Sequence, residues 1–143
     1  MIHVMCGIPA SGKTTLSKQL ALENNAILYC YDKLPNAYQT KATHLSMFRR
    51  IARDLRYHKT VVCDDLHTTK ESRIALLKAI SEVDCKKVLH VMHVPPEVCL
   101  KRIKAREKWN VPDYVVMECH KHYEPPTLDE GWDEIIYHEY VKE

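Results

Sequence analysis

Apolar residues fall in five short runs along this chain: Ile2 to Cys6, Ala26 to Tyr31, Thr60 to Cys63, Lys87 to Val94 and Ile135 to Tyr140. Each has the length of a buried strand. The stretches between them carry helical spacing instead. From Lys13 to Asn24, Leu16 and Leu20 lie four apart, and Asn24-Asn25 supplies a stop. Leu45, Phe48, Ala52 and Leu55 make one apolar stripe, and Ile74, Leu77 and Ile80 make another. Pro95-Pro96 opens a further predicted helix running through Glu97 to Glu107. Strands that alternate with helices predict parallel pairing through right-handed crossovers. The expected architecture is α/β, one domain over residues 1–143, with a parallel sheet of about five strands covered on both faces.

Composition narrows the class. A chain of 143 residues can bury a core without disulfides or metals. No apolar run approaches the ~20 residues of a membrane helix, so no membrane association is expected. The N-terminus has no basic segment and no small-residue cleavage site, which argues against secretion. Of the six cysteines, the closest pair, Cys85 and Cys99, is 14 residues apart, and several lie within apolar runs. Free thiols in a reducing, cytoplasmic setting are expected. The net charge of +2 neither selects nor excludes a polyanionic partner.

Glycine is the informative count. There are three in the chain, and two of them, Gly7 and Gly12, bracket GIPASGKT at residues 7–14. This string matches G-x-x-x-x-G-K-[ST], and it follows an apolar run and opens a helical pattern, as a phosphate-binding loop must. Phosphate oxygens have to approach backbone N–H groups, so side chains must be absent or turned away. Gly7, Ile8, Pro9, Ala10, Ser11, Gly12, Lys13, Thr14 and the following Thr15 are therefore the expected nucleotide cradle. Lys13 would reach the β- and γ-phosphates, and the Thr14 hydroxyl would ligate Mg²⁺.

In open α/β sheets ligands bind beyond the carboxyl ends of the strands. The second run is followed there by Asp32 and the third by Asp64-Asp65. Beside a bound triphosphate such carboxylates hold Mg²⁺ or accept a proton from an attacking hydroxyl, although Asp also serves turns and helix caps. After the fourth run come Lys101, Arg102, Lys104 and Arg106, suited either to a lid over the phosphates or to a solvated surface. Arg49, Arg50, Arg53 and Arg56 form a second basic group, a solvated face or a track for an acceptor's phosphates. Trp109 and Tyr31 offer stacking faces for a base, or core or rim packing. Cys119, His120 and His122 lack zinc spacing, because neighbouring positions on a helix diverge.

These parts resemble the kinase domain of polynucleotide 5′-hydroxyl kinases, the phage enzymes and the animal polynucleotide kinase-phosphatase, over nearly the whole chain. GIPASGKT is similar to their phosphate loop, and Asp32 falls at their general base. DDLHTTKESR, Asp64 to Arg73, matches the segment after the third strand. RIKAREKWNVPDYVV is similar to their lid, here about residues 102–112, with Arg106 at the lid arginine. Tyr123 to Ile135, YEPPTLDEGWDEI, looks like the animal enzyme's C-terminal signature. Cys30, Tyr31, Pro35 and His67 depart from the pattern, where the family carries Asn, Arg, an acceptor-contacting Arg and Asn.

The resemblance implies a three-layer P-loop kinase sandwich with an Arg-bearing lid. It implies ATP and Mg²⁺ as donor and cofactor, with Lys13, Asp32 and Arg106 catalytic. Arg102 and Arg106 would hold the nucleotide, Thr14 and Asp64 the metal, and Asp32, Asp64 and Arg73 the acceptor. The implied acceptor is a 5′-hydroxyl end of RNA or DNA, with a fused or partner phosphatase or ligase. A P-loop kinase for a small metabolite, a nucleotide sugar or a charged tRNA shares the donor residues. So does a non-catalytic nucleotide-binding module, although binding alone needs neither Asp32 nor Arg106.

Overall fold

The computed structural model describes residues 1–31, 40–106 and 111–142. Among them the chain alternates strand and helix as the apolar pattern predicts. β1 (Ile2–Cys6) leads into α1 (Lys13–Glu23), then β2 (Ile27–Cys30), α2 (Lys41–Arg56), β3 (Val61–Asp64), α3 (Lys70–Ala79) and β4 (Lys87–His93). Two helices, α4 (Pro96–Lys104) and α5 (Asp113–Lys121), and a 3-10 turn at Leu128–Glu130 precede β5 (Glu134–Glu139). Every strand pair is parallel, in the order β2-β3-β1-β4-β5.

Alternation along each strand separates the two faces. Ile2, Val4 and Cys6 of β1, Val61 and Cys63 of β3, and Leu89 and Val91 of β4 join Phe48, Ile51, Leu55, Leu76 and Ile80 in the main core. That face is covered by α2 and α3. The intervening residues face the other way, where α1 packs against β3 and β2. The outgoing loop of central β1 thus crosses to one face while that of its neighbour β3 crosses to the other. A crevice opens above β1 at such a reversal.

Local chemistry sets the helix ends. Thr40 caps α2 by accepting from the Thr43 amide, and Thr69 caps α3 by accepting from Ser72. The predicted helix to Glu107 ends sooner, at Lys104. Two stripe residues differ from expectation. Leu45 and Ile74 are partly exposed, at 46% and 38%. In α3 the inward position adjacent to Ile74 is taken by Arg73, which is fully buried because it finds a charged partner inside. All six cysteines are free thiols. No helix among the described residues is long and apolar enough to cross a membrane.

Candidate functional site

The turn from β1 into α1 requires positive φ at Ala10 (64°) and at Gly12 (98°). Glycine removes the steric cost of that geometry at residue 12. At Gly7 the demand is for space, since a Cβ there would lie 2.5 Å from Ser11 Oγ and 3.1 Å from Met92 Cβ. Gly12 caps α1 with no side-chain bond, so the first amides of the helix are left for a ligand at its positive end. Ser11 Oγ is buried and has no hydrogen-bond partner among the described residues. Lys13 is buried too, its ammonium donating to the Ile8 carbonyl at 3.3 Å inside the loop. A cradle of amides, an unpartnered hydroxyl and an enclosed cation fit a polyphosphate.

Beneath the loop lies the end of β3. Thr14 Oγ1 donates to Asp64 Oδ2 at 3.0 Å, and Ser17 Oγ and Cys30 Sγ donate to the same oxygen at 3.2 Å each. The other carboxylate oxygen, Oδ1, is buried with no partner among the described residues. Buried acceptors are ordinarily satisfied. A hydrated Mg²⁺ beside the Thr14 hydroxyl would satisfy this one, so the donor set fits the metal that a nucleotide brings. The Gly7 amide donates to Leu66 O at 2.9 Å and ties the loop to the segment after β3.

The basic residues reach the loop from α4. Arg102 Nη1 donates to Ala10 O at 3.0 Å, and its guanidinium lies 5.8 Å from the centre of the Tyr140 ring. Arg106, just past α4, is exposed at the rim of the same groove. This groove of about 840 Å³ runs from Gly12 and Thr15 along Leu16 and Gln19 to Met92, His138 and Tyr140. It joins the phosphate loop, the arginines and β5. The expected lid extends into residues 107–110, which with Trp109 lie outside the described residues. So does Asp32.

Arg73 is corrected. It was expected to contact the acceptor, but no part of its side chain is accessible. Its Nε and Nη2 donate to the two Glu130 oxygens at 2.9 and 3.1 Å, and Nη1 donates to His67 O at 3.0 Å. Burial opposes the charge on Glu130, yet the bonds from Arg73 and Trp132 outweigh it and hold its carboxyl below the ordinary range. Arg73 therefore fastens the turn after β3 to the C-terminal segment. The signature residues behave alike: Trp132 Nε1 donates to Glu130, and Asp133 accepts from the Lys87 amide. That motif builds the scaffold.

His44 was not singled out from the sequence. Its Nε2 lies 3.0 Å from Asp65 Oδ2, and its ring stacks on Tyr31 at 4.3 Å between centroids. Burial works against the Asp65 charge, but the bond from His44, the nearby His67 and the Leu66 amide together bring its carboxyl down to about 2. Only tertiary contact joins these residues; the available signal was a histidine in the first turn of α2, one turn before the apolar Phe48. His122 pairs with Glu118 on its own helix. No group of three or more metal-ligating side chains occurs among the described residues.

A family model described as "AAA domain" (AAA_33) matches residues 2–126, from β1 beyond α5. The chain belongs to the AAA domain family. No curated protein matches this family member's sequence. Among solved structures, Kti12 of Chaetomium thermophilum in complex with ADP-AlF3 superposes with a TM-score of 0.77 at 16% identity, over 98% of this chain and 89% of that one. A fungal RNA kinase gives 0.74 at 17% identity, over 95% of this chain but 37% of that one, so this AAA domain spans little more than a third of it. A gluconokinase from Sinorhizobium meliloti 1021 gives 0.70 at 16% identity, over 99% and 83%. At these identities the likeness is one of fold, and the fold is that of the P-loop kinases.

Proposed function

We propose that the protein is an ATP-dependent kinase that transfers the γ-phosphate to a 5′-hydroxyl end of RNA or DNA. The observation that carries phosphotransfer is the Thr14–Asp64 contact under the glycine cradle, which leaves one buried carboxylate oxygen open. Simple anion binding does not require it. The acceptor class rests on the resemblance of the strand-end and C-terminal segments to polynucleotide kinases, with the likeness to an RNA kinase fold in agreement.

In this reading the loop amides and Lys13 bind the β- and γ-phosphates and hold the donor in line. Thr14 and Asp64 would hold Mg²⁺, which when bound would supply charge neutralisation at the phosphates. Arg102, anchored on the loop, and Arg106 at the groove rim stabilise charge on the equatorial and leaving oxygens. Asp32 orients the 5′-hydroxyl and takes its proton.

The test is transfer of label from γ-labelled ATP to 5′-hydroxyl oligonucleotides, with gluconate and nucleosides as rival acceptors. Labelled oligonucleotide is expected, and Asp32→Ala is expected to slow its formation ~10²–10⁴-fold with nucleotide binding retained. Labelling of small acceptors alone would overturn the acceptor assignment. A loss of nucleotide affinity equal to the loss of rate would overturn the role of Asp32.

A further inference from the structure

Three imidazoles form a row that phosphate binding does not use. His3 on β1, His90 on β4 and His138 on β5 lie on the sheet face opposite the α2–α3 core. His3 pairs with Val88 and His90 with Ile136, so each histidine stands two residues nearer the carboxyl ends than the one before. Long side chains touch across such diagonals. Nδ1 of His3 meets Nε2 of His90 at 2.9 Å, and Nδ1 of His90 meets Nε2 of His138 at 2.9 Å. His3 and His90 are buried, and the row surfaces at His138, in the groove beside Gly12 and Arg102. The nitrogens are used pairwise and do not converge, so the row is not a metal site.

Each link needs one N–H and one lone pair, so the neutral rings must all carry their proton on the same nitrogen. Nε2 of His3 is buried with no partner among the described residues. Protons on Nε2 throughout would bury an unsatisfied N–H there and leave Nδ1 of His138 an acceptor. Protons on Nδ1 throughout leave a lone pair at His3 and make Nδ1 of His138 a donor. Burial keeps the rings neutral: His90 is pushed down to about 4, with His3 and His138 adding to the effect, and both flanking rings are lowered as well. At His3 the lowering comes chiefly from burial, with the N-terminal ammonium and Lys86 adding to it and Glu134 opposing it.

We propose that His138 reads the nucleobase of the donor nucleotide and that the His3–His90 pair sets the hydrogen-bonding sense in which it reads. This rests on the groove being the nucleotide site of the kinase reading. In the resting sense Nδ1–H of His138 donates to a purine ring nitrogen, an acceptor that adenine and guanine both offer. Reversing the three protons turns the same nitrogen toward an exocyclic amine. His138 is the base-contacting residue, and His3 and His90 are positioning residues.

The test measures binding, not turnover, so it needs no acceptor. Fluorescent ATP and GTP analogues are titrated into the full chain, and imidazole ¹⁵N spectra are recorded with and without ATP. Comparable affinities for the two purines are expected, together with three neutral rings protonated on one common nitrogen. Nδ1 of His138 should shift on adding ATP. His138→Phe should weaken both purines about 3–10-fold, the worth of one hydrogen bond. His3→Phe, which leaves the groove untouched, should change the ATP:GTP affinity ratio threefold or more. Binding indifferent to His138, or a ratio and a His138 resonance that stay fixed, would overturn this inference and leave the kinase reading standing. Absence of nucleotide binding to the wild-type chain would overturn both. The ¹⁵N spectra use the unmutated protein, so a variant that fails to fold does not remove the test.

Discussion

Replacing Glu130 with alanine isolates what the buried ion pair contributes. Arg73 and Glu130 side chains are 0% and 2% exposed, and two parallel bonds of 2.9 and 3.1 Å join them. Without the carboxylate, the guanidinium keeps its bond to His67 O but loses two acceptors in a site that water does not reach. Trp132 Nε1 loses its 3.0 Å acceptor at the same time. A buried charge stripped of its partner costs about 3–5 kcal/mol. Against a typical total of about 5–15 kcal/mol that is a large fraction. At this chain length it corresponds to a fall in Tm of roughly 6–20 °C. Removing both charges, in Arg73→Met with Glu130→Leu, should restore stability to within about 1–2 kcal/mol of wild type, because no charge is then left unpaired. Urea unfolding followed by circular dichroism gives both numbers. A Glu130→Ala loss under about 1 kcal/mol, or a double variant no better than the single, would refute the account. The folded double variant also tests the correction made at Arg73: it should bind nucleotide and acceptor normally, and a specific rise in acceptor KM would return Arg73 to the substrate site.

Gly12→Ala should destabilise the chain by roughly 1–2 kcal/mol and weaken nucleotide binding at least tenfold, because an L-residue resists its φ of 98° even though a Cβ meets nothing closer than 3.5 Å. Parallel urea and nucleotide titrations check it, and unchanged affinity would show that the loop does not need that backbone. The histidine row predicts a specific acid sensitivity. His90 sits at about 4 in the fold against an ordinary 6.5, chiefly through burial, so the fold favours its neutral form. That contribution is complete above pH ~6.5 and is lost as pH falls toward 4, on the order of 2–3 kcal/mol from His90 alone. Asp65, held at about 2, keeps its contribution through this window and loses it only in stronger acid. Urea midpoints that stay constant from pH 7 to pH 4.5 would contradict the buried neutral row.

The strands, the helices and the phosphate loop were legible because each is written in local periods and spacings. An apolar run, a glycine pair and a lysine-threonine step specify a strand, a turn and a helix start without reference to anything distant. Asp64 was legible for a related reason: parallel strands bring their carboxyl ends to one edge, so residues just after each run gather there. What tertiary contact alone decided is which charged residues turn inward. Arg73 reads as a surface or substrate arginine until Glu130, 57 positions later, closes on it. His44 reads as helix filler until Asp65 meets it. His3, His90 and His138 stand in three separate runs, and strand order with register makes them neighbours. Local sequence carries conformational preference, but the electrostatic fate of a side chain depends on partners that only the folded chain brings within bonding distance.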